Sequence, residues 1–273
     1  MKARLQELDL LRSIAVLAVI AIHITGGYLF NGKHGVVLLW NQGMRFAVPT
    51  FFIISGFLLF YYDLDKKKVI FNNFIVRRLS KIIIPYIIWT FIYSVYYLHN
   101  GLFEIKHGIM DMFGQGFTFI EKYLINIIRG TAAPHLYFIV IIIQFYILYP
   151  ILHKLVKEHE KLVLVISFIV TFYFQLADYL YGYELFLLPK SGFKYYSILF
   201  FPWIFYFVLG MYTVIKIDKG EINLNKLSMK TFLPWVLAYC ILITDTILTN
   251  TSATSIKPTI MLYSVASFFF LYH

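Results

Sequence analysis

An arginine and a histidine separated by ten residues, Arg12 and His23, lie in a stretch otherwise made mostly of leucine, isoleucine, valine and alanine. Imidazole can take a proton near neutral pH, so a histidine so placed suits general-base chemistry, drawing the proton from a hydroxyl as its oxygen attacks an acyl carbon. Asp9, three residues before Arg12, is a further ionisable side chain in the same stretch. Inside a membrane such groups are unfavourable, by roughly 2.5 to 3.5 kcal/mol for Arg or Asp at the bilayer centre, and they normally face protein or water. On a helix the step from Arg12 to His23 amounts to about three turns, which places both on one face with Val16 and Val19 between them. His23 falls ~20 Å along the axis from Leu10, too deep for its ring to reach the headgroups easily. Two readings stand open for it: a base lining a passage, or a histidine satisfied by an interhelical hydrogen bond. Arg12, nearer the helix end, could instead snorkel to the headgroups.

A second group of cations reads Arg77-Arg78-Leu-Ser-Lys81 and precedes Ile-Ile-Ile-Pro85. Arg78 and Lys81 are three apart and project to one side of a helix, an arrangement suited to the phosphates of a nucleotide-containing donor. The same residues would also serve as a positive anchor at a membrane surface. Arg45 precedes Phe46-Ala-Val-Pro49, and His135 with Tyr137 opens another apolar run. These three are candidates for a substrate pocket, with interfacial anchoring as the alternative for His135 and Tyr137. Ser55-Gly56 reads as a small surface for close helix packing rather than a nucleophile, because no Gly-x-Ser-x-Gly context surrounds it. The eight histidines are scattered and there is one cysteine, so no metal-ligand pattern occurs.

The elements that must position these residues are membrane helices. Of the 273 residues 60% are hydrophobic and only 14% charged, against about a quarter charged in an ordinary soluble domain. The formal net charge of +10 does not indicate nucleic acid, because the cations punctuate apolar runs instead of forming a stripe. Eight runs approach the length needed to cross a layer ~30 Å thick. They cover roughly Leu10 to Phe30, Phe46 to Tyr62, Ile82 to Leu98, Leu136 to Leu152, Leu162 to Leu180, Tyr195 to Ile215, Thr231 to Leu248 and Pro258 to Tyr272. Helices are required, since a lipid-facing backbone must satisfy its own hydrogen bonds. Alternate connections carry sixteen and eight Lys and Arg residues, so the positive-inside rule places the amino terminus in the cytoplasm. Between the third and fourth runs, Phe119 to Ile128 has apolar residues at helical spacing and predicts a helix lying flat at the interface or re-entering over a site. The fold expected is therefore all-α, a polytopic transmembrane bundle of about eight helices forming one domain over 1–273. The last run is short and lacks a flanking charge, which predicts that carboxy-terminal sequence is missing.

The motifs together resemble acyltransferase family 3, bacterial membrane proteins that move acyl groups from cytoplasmic acyl-coenzyme A onto extracytoplasmic glycans. The resemblance is carried by Leu8-Asp-Leu-Leu-Arg12 with ten residues before His23, Arg45-Phe-Ala-Val-Pro-Thr-Phe-Phe-Ile-Ile-Ser-Gly-Phe57, Arg78-Leu-Ser-Lys81 before Ile-Pro-Tyr, and His135-Leu-Tyr-Phe138 leading to Tyr149-Pro150, with weaker support from Phe201 to Gly210. It implies His23 as catalytic base with Arg12 as its partner, and Arg78, Lys81 and the neighbouring Arg77 as donor-binding cations. Asp9, Arg45, His135 and Tyr137 would line the substrate pocket. It further implies a multi-pass protein of a bacterial cell membrane, acyl-coenzyme A as co-substrate with no resident cofactor, and a glycan or lipid-linked sugar as acceptor. Ser13, Lys81 and Tyr137 stand where the family usually has Gly, Arg and Trp, and Lys81 keeps the charge without the planar fork. The rival reading is a transporter or flippase for a lipid-linked glycan, which would use the same intramembrane Arg and His.

Overall fold

The computed structural model describes residues 5–30, 35–65, 71–100, 112–181, 196–222, 228–250 and 255–272, with side chains for all of these except 30, 71–77, 112–118, 181 and 228–229. Ten α-helices account for most of them, and no strand occurs among the described residues. In order they are α1 (Gln6–Phe30), α2 (Val36–Gly43), α3 (Ala47–Asp63), α4 (Phe71–His99), α5 (Met112–Arg129), α6 (Tyr137–Glu158), α7 (Glu160–Tyr181), α8 (Ile204–Asp218), α9 (Ser228–Thr249) and α10 (Pro258–Leu271). Each of the eight predicted apolar runs falls on a helix. Seven spans are long and apolar enough to cross a membrane, α2 and α3 counting as one, and α10 is a shorter apolar helix. The protein is a multi-pass membrane protein built as an all-α bundle. The helix predicted around Phe119 to Ile128 is α5.

Three boundaries differ from the apolar runs, each for a physical reason. Helix α4 starts at Phe71, eleven residues before Ile82, because Lys and Arg are good helix formers and the cationic stretch continues the helix instead of interrupting it. Helix α8 starts at Ile204, not Tyr195. Its first part is replaced by short 3₁₀ turns at Tyr196–Ile198 and Phe201–Trp203, where Pro202 lacks an amide hydrogen and disfavours helical backbone in the residue before it. The segment before Arg45 is not a plain loop but the two-turn helix α2. Of the cations used to orient the chain, Lys2, Arg4, Lys33, Lys66, Lys67, Lys68, Lys106, Lys190, Lys194 and Lys226 lie outside the described residues.

The chain divides into two compact units, the first comprising Met1–Lys67, Leu152–Lys194 and Phe201–His273, the second Lys68–Ile151 and Tyr195–Phe200. The centre of the first unit is the pairing of α3 with α8. Ile53, Ile54, Phe57 and Phe60 of α3 and Phe207, Val208, Met211 and Val214 of α8 are all buried, as expected for helices apolar on every side. The approach is closest at two glycines: a Cβ on Gly56 would fall onto the Phe207 carbonyl, and one on Gly210 onto the Ile53 carbonyl. Small residues are what let membrane helices come this near, since lipid offers no hydrophobic drive to bring them together. Helix α1 docks through Ala15 and Ala18 into a cluster with Phe46, Ala47, Leu242, Ile260 and Tyr263, while Leu10, Leu17 and Ile24 are exposed, as suits a lipid-facing surface.

In the second unit, α5 is latched to α4 through backbone carbonyls. Tyr86 donates to the Ile127 carbonyl at 2.6 Å and Phe91 meets Phe119 and Tyr123 edge-on. Gly130 ends α5 with φ of 68°, and a Cβ there would strike the Tyr137 backbone, so the turn that leads into α6 depends on glycine. Gln144, within the apolar α6, donates to the Ile198 carbonyl at 2.7 Å and accepts from the Phe200 amide at 3.0 Å. That single amide satisfies irregular backbone which lipid could not.

Candidate functional site

Asp9, Arg12, His23 and Arg45 lie in the first unit, and Arg77, Arg78, Lys81, His135 and Tyr137 in the second. Helix α1 is unbroken from Gln6 to Phe30, so the eleven-residue step between Arg12 and His23 keeps its helical meaning and both project from one side. That side is a flank of the helix, away from the packed line Leu8, Leu11, Ala15 and Ala18. His23 is exposed, not enclosed by protein. Arg12 is exposed as well and pairs with Asp9 at 3.7 Å, one turn below. Both members of that pair are partly solvated, so it contributes little to stability and serves mainly to hold the guanidinium at the helix flank.

Behind this flank lies a polar network that the sequence reading did not assemble. Arg45, only 7% exposed, directs Nε and Nη2 to the Asn41 Oδ1 at 3.2 and 3.0 Å and Nη1 to the Ser255 Oγ at 2.9 Å. Asn41 in turn donates to the Ile22 carbonyl at 3.1 Å and to Thr25 Oγ1 at 2.8 Å, on either side of His23 in α1. Gln42 donates to Asn41 at 3.3 Å and accepts from Thr246 at 3.4 Å. Thr246 accepts from Lys257 at 2.7 Å, and Lys257 pairs with Asp245 at 2.9 Å. Asp245 is completed by hydroxyls of Tyr179 at 2.7 Å and Thr259 at 2.6 Å. Lys257 is fully buried. Desolvation holds its ammonium below the ordinary lysine pKa, against the raising effect of Asp245. Arg45 and Lys257 lie between helices, and both are buried.

These residues carried different amounts of signal. Asp245 sits inside an apolar run, and the argument that singled out His23 applies to it with equal force. Asn41 and Gln42 end the apolar stretch Val36 to Trp40, a weaker hint. Nothing in local spacing announces that residue 42 meets residue 246.

In the second unit, Arg78 and Lys81 are exposed on α4, three residues apart. Arg77 is on the same helix, and its side chain lies outside the described residues. His135 is exposed and sits edge-on to Tyr93 at 5.5 Å. Tyr137, half-buried, begins α6. No group of three metal-ligating side chains occurs among the described residues.

The described residues thus place an accessible imidazole and a guanidinium on one flank of a single span, next to a hydrogen-bonded polar interior. The chain belongs to the family described as acyltransferase domain, whose model matches residues 5–273. It is similar to a Bacillus subtilis (strain 168) protein provisionally named membrane-bound acyltransferase YfiQ, 28% identical over 99% of this chain and 73% of that protein. It is also similar to a Staphylococcus aureus (strain MRSA252) protein provisionally named poly-beta-1,6-N-acetyl-D-glucosamine export protein, 29% identical over 76% of this chain and 55% of that protein. A provisionally named O-acetyltransferase of Staphylococcus aureus (strain COL) is 28% identical over 53% of this chain and 24% of its own length. The chain thus spans about half, or less, of these two staphylococcal relatives. No solved structure is a significant match. By family and by class the chain is a membrane acyltransferase.

Proposed function

We propose that this acyltransferase moves an acyl group, acetyl in the first instance, from cytoplasmic acyl-coenzyme A to a hydroxyl of an extracytoplasmic or lipid-linked glycan in a bacterial cell membrane. The observation that carries the reading is the continuity of α1, which keeps Arg12 and an accessible His23 on one flank of a membrane-spanning helix. An imidazole at that depth is held against its solvation preference unless substrate or water reaches it. In the reaction, His23 removes the proton from the acceptor hydroxyl as its oxygen bonds to the thioester carbonyl carbon. The carbon–sulfur bond then breaks, and the departing thiolate of coenzyme A receives the proton from the imidazolium. Arg12 stabilises the charged donor or holds the passage in shape. Arg77, Arg78 and Lys81 are the donor-binding cations, Lys81 as a point charge and the arginines as forks for phosphate oxygens. Asp9 and Arg45 of the first unit, and His135 and Tyr137 of the second, are candidates for contact with substrate, each within its own unit.

The test is transfer of radiolabel from acetyl-coenzyme A into the glycan fraction of membrane vesicles. His23→Ala is expected to reduce the rate by about 10²- to 10⁴-fold, the usual contribution of a general base. A His23→Ala protein as active as wild type would end the proposal. The similarity to an export protein supports a second reading, translocation of the glycan itself. Glycan crossing the vesicle membrane without consumption of acyl-coenzyme A would favour that reading.

A further inference from the structure

The network behind α1 converges on one side chain whose two donors go to residues flanking the proposed base. An asparagine amide offers two N–H donors and a carbonyl oxygen with two lone pairs. In Asn41 the donors go to the Ile22 carbonyl at 3.1 Å and the Thr25 hydroxyl at 2.8 Å. The oxygen takes Nε and Nη2 of Arg45 at 3.2 and 3.0 Å and the Gln42 amide at 3.3 Å. Thr25 is free to accept because its own proton points back to the Ala21 carbonyl at 2.6 Å. The backbone position just before His23 and a side chain two residues after it are therefore tied to one fully buried amide on α2, while the imidazole between them stays exposed.

We infer that Asn41 is a positioning residue for His23. It fixes the turn of α1 that carries the base and seats the Arg45 guanidinium on its own oxygen, so that the ring is anchored through its neighbours without being covered. This inference rests on the reading of His23 as the base. The geometry suits the task because a misplacement of about 1 Å is enough to reduce a positioned reaction ~100-fold. Neither aspartate nor leucine substitutes for the amide: the first removes both donors to α1, the second removes the seat for Arg45 as well. Asn41 needs no contact with substrate, and its effect passes through the residue it holds.

The experiment is a cycle on the full chain in membrane vesicles, with radiolabelled acetyl-coenzyme A as the donor. Asn41→Ala is expected to lower kcat by about 10- to 100-fold with KM for acetyl-coenzyme A little changed. In the His23→Ala background the same substitution should have no further effect on the residual rate, because residues acting as a unit are not additive. A merely structural role would lower both backgrounds by the same factor, and that result overturns the inference, as does an Asn41→Ala protein of wild-type activity. Thr25→Val, which removes one of the two ties to α1, provides a milder variant if Asn41→Ala does not reach the membrane. Its expected loss is several-fold in kcat at an unchanged melting temperature, and full activity there also overturns the inference. Failure of the base reading is seen separately, in His23→Ala alone retaining activity.

Discussion

Two ion-pair clusters stand at the two ends of α7, and they are built on different principles. At the end marked by Tyr179, Asp245 and Lys257 form a dry pair: Lys257 is fully buried and Asp245 nearly so, with hydroxyls filling the remaining positions. At the other end, Glu160 accepts from Lys216 at 3.2 Å and from Lys219 at 2.8 Å, and Lys216 also reaches Glu221 at 2.8 Å. Lys219 and Glu221 are about half exposed. The first cluster joins α7, α9 and α10 and continues through Thr246 and Gln42 to Asn41 and Arg45. The second ties the start of α7 to the end of α8. What the contrast teaches is that charge in this molecule has two jobs. Where it is interior it connects to the proposed catalytic flank, and where it is solvated it staples helix ends.

The comparison is broken most forcefully at Asp245. Asp245→Ala leaves Lys257 buried without its carboxylate, so the amine must lose its proton or draw in water, and the expected destabilisation is about 3 to 5 kcal/mol. Thermal unfolding in detergent should register it as a large drop in melting temperature. The double variant Asp245→Ala with Lys257→Met should recover most of the loss, because it removes the stranded charge and not only its partner. A single variant as stable as wild type would mean that the pair does not hold the interior.

Between the two clusters, the α3–α8 contact supplies stability without charge, and Gly56→Ala measures it. The added methyl meets the Phe207 backbone, which no side-chain rotation can clear. The expected cost is about 1 to 3 kcal/mol in melting of the same preparation. A value above that of Asp245→Ala would make backbone approach, not the buried pair, the stronger determinant of this unit.

How much of this was legible in the sequence follows from the same distinction. The spans were legible because hydrocarbon thickness imposes a length and a composition on each one. α5 was legible from its periodicity, and Ser55-Gly56 from the small surface it offers. The Arg12 to His23 spacing was legible because it is local to one helix, and α1 preserves it. The interior network was not, because Asn41 acquires its meaning through contacts to a neighbouring helix, and Gln42 and Arg45 through contacts to Thr246 and Ser255 some two hundred residues away. A positive-inside count treats Arg45 and Lys257 as loop cations, since the rule weighs charge and cannot see burial. The α-helical start of α8 differs from the apolar run because the run continues through Pro202, where the chain forms a 3₁₀ turn before the α-helix begins.

The smallest effect is expected at the solvated cluster. Glu160→Gln removes the carboxylate shared by Lys216 and Lys219, but Lys216 retains Glu221 and lies against the Tyr212 ring at 5.1 Å. Lys219 turns to water. The loss should be about 1 kcal/mol, because Lys216 keeps a carboxylate, and the part carried by half-exposed Lys219 is smaller still at high salt. Adding Glu221→Gln sharpens the contrast with Asp245. Lys216 is itself largely covered, with 7% of its side chain exposed, so stripping both carboxylates should destabilise by more than the sum of the single changes. Additive losses would show that Lys216 reaches water when its partners go, and that burial in this cluster, unlike that at Lys257, is not enforced by the packing around it.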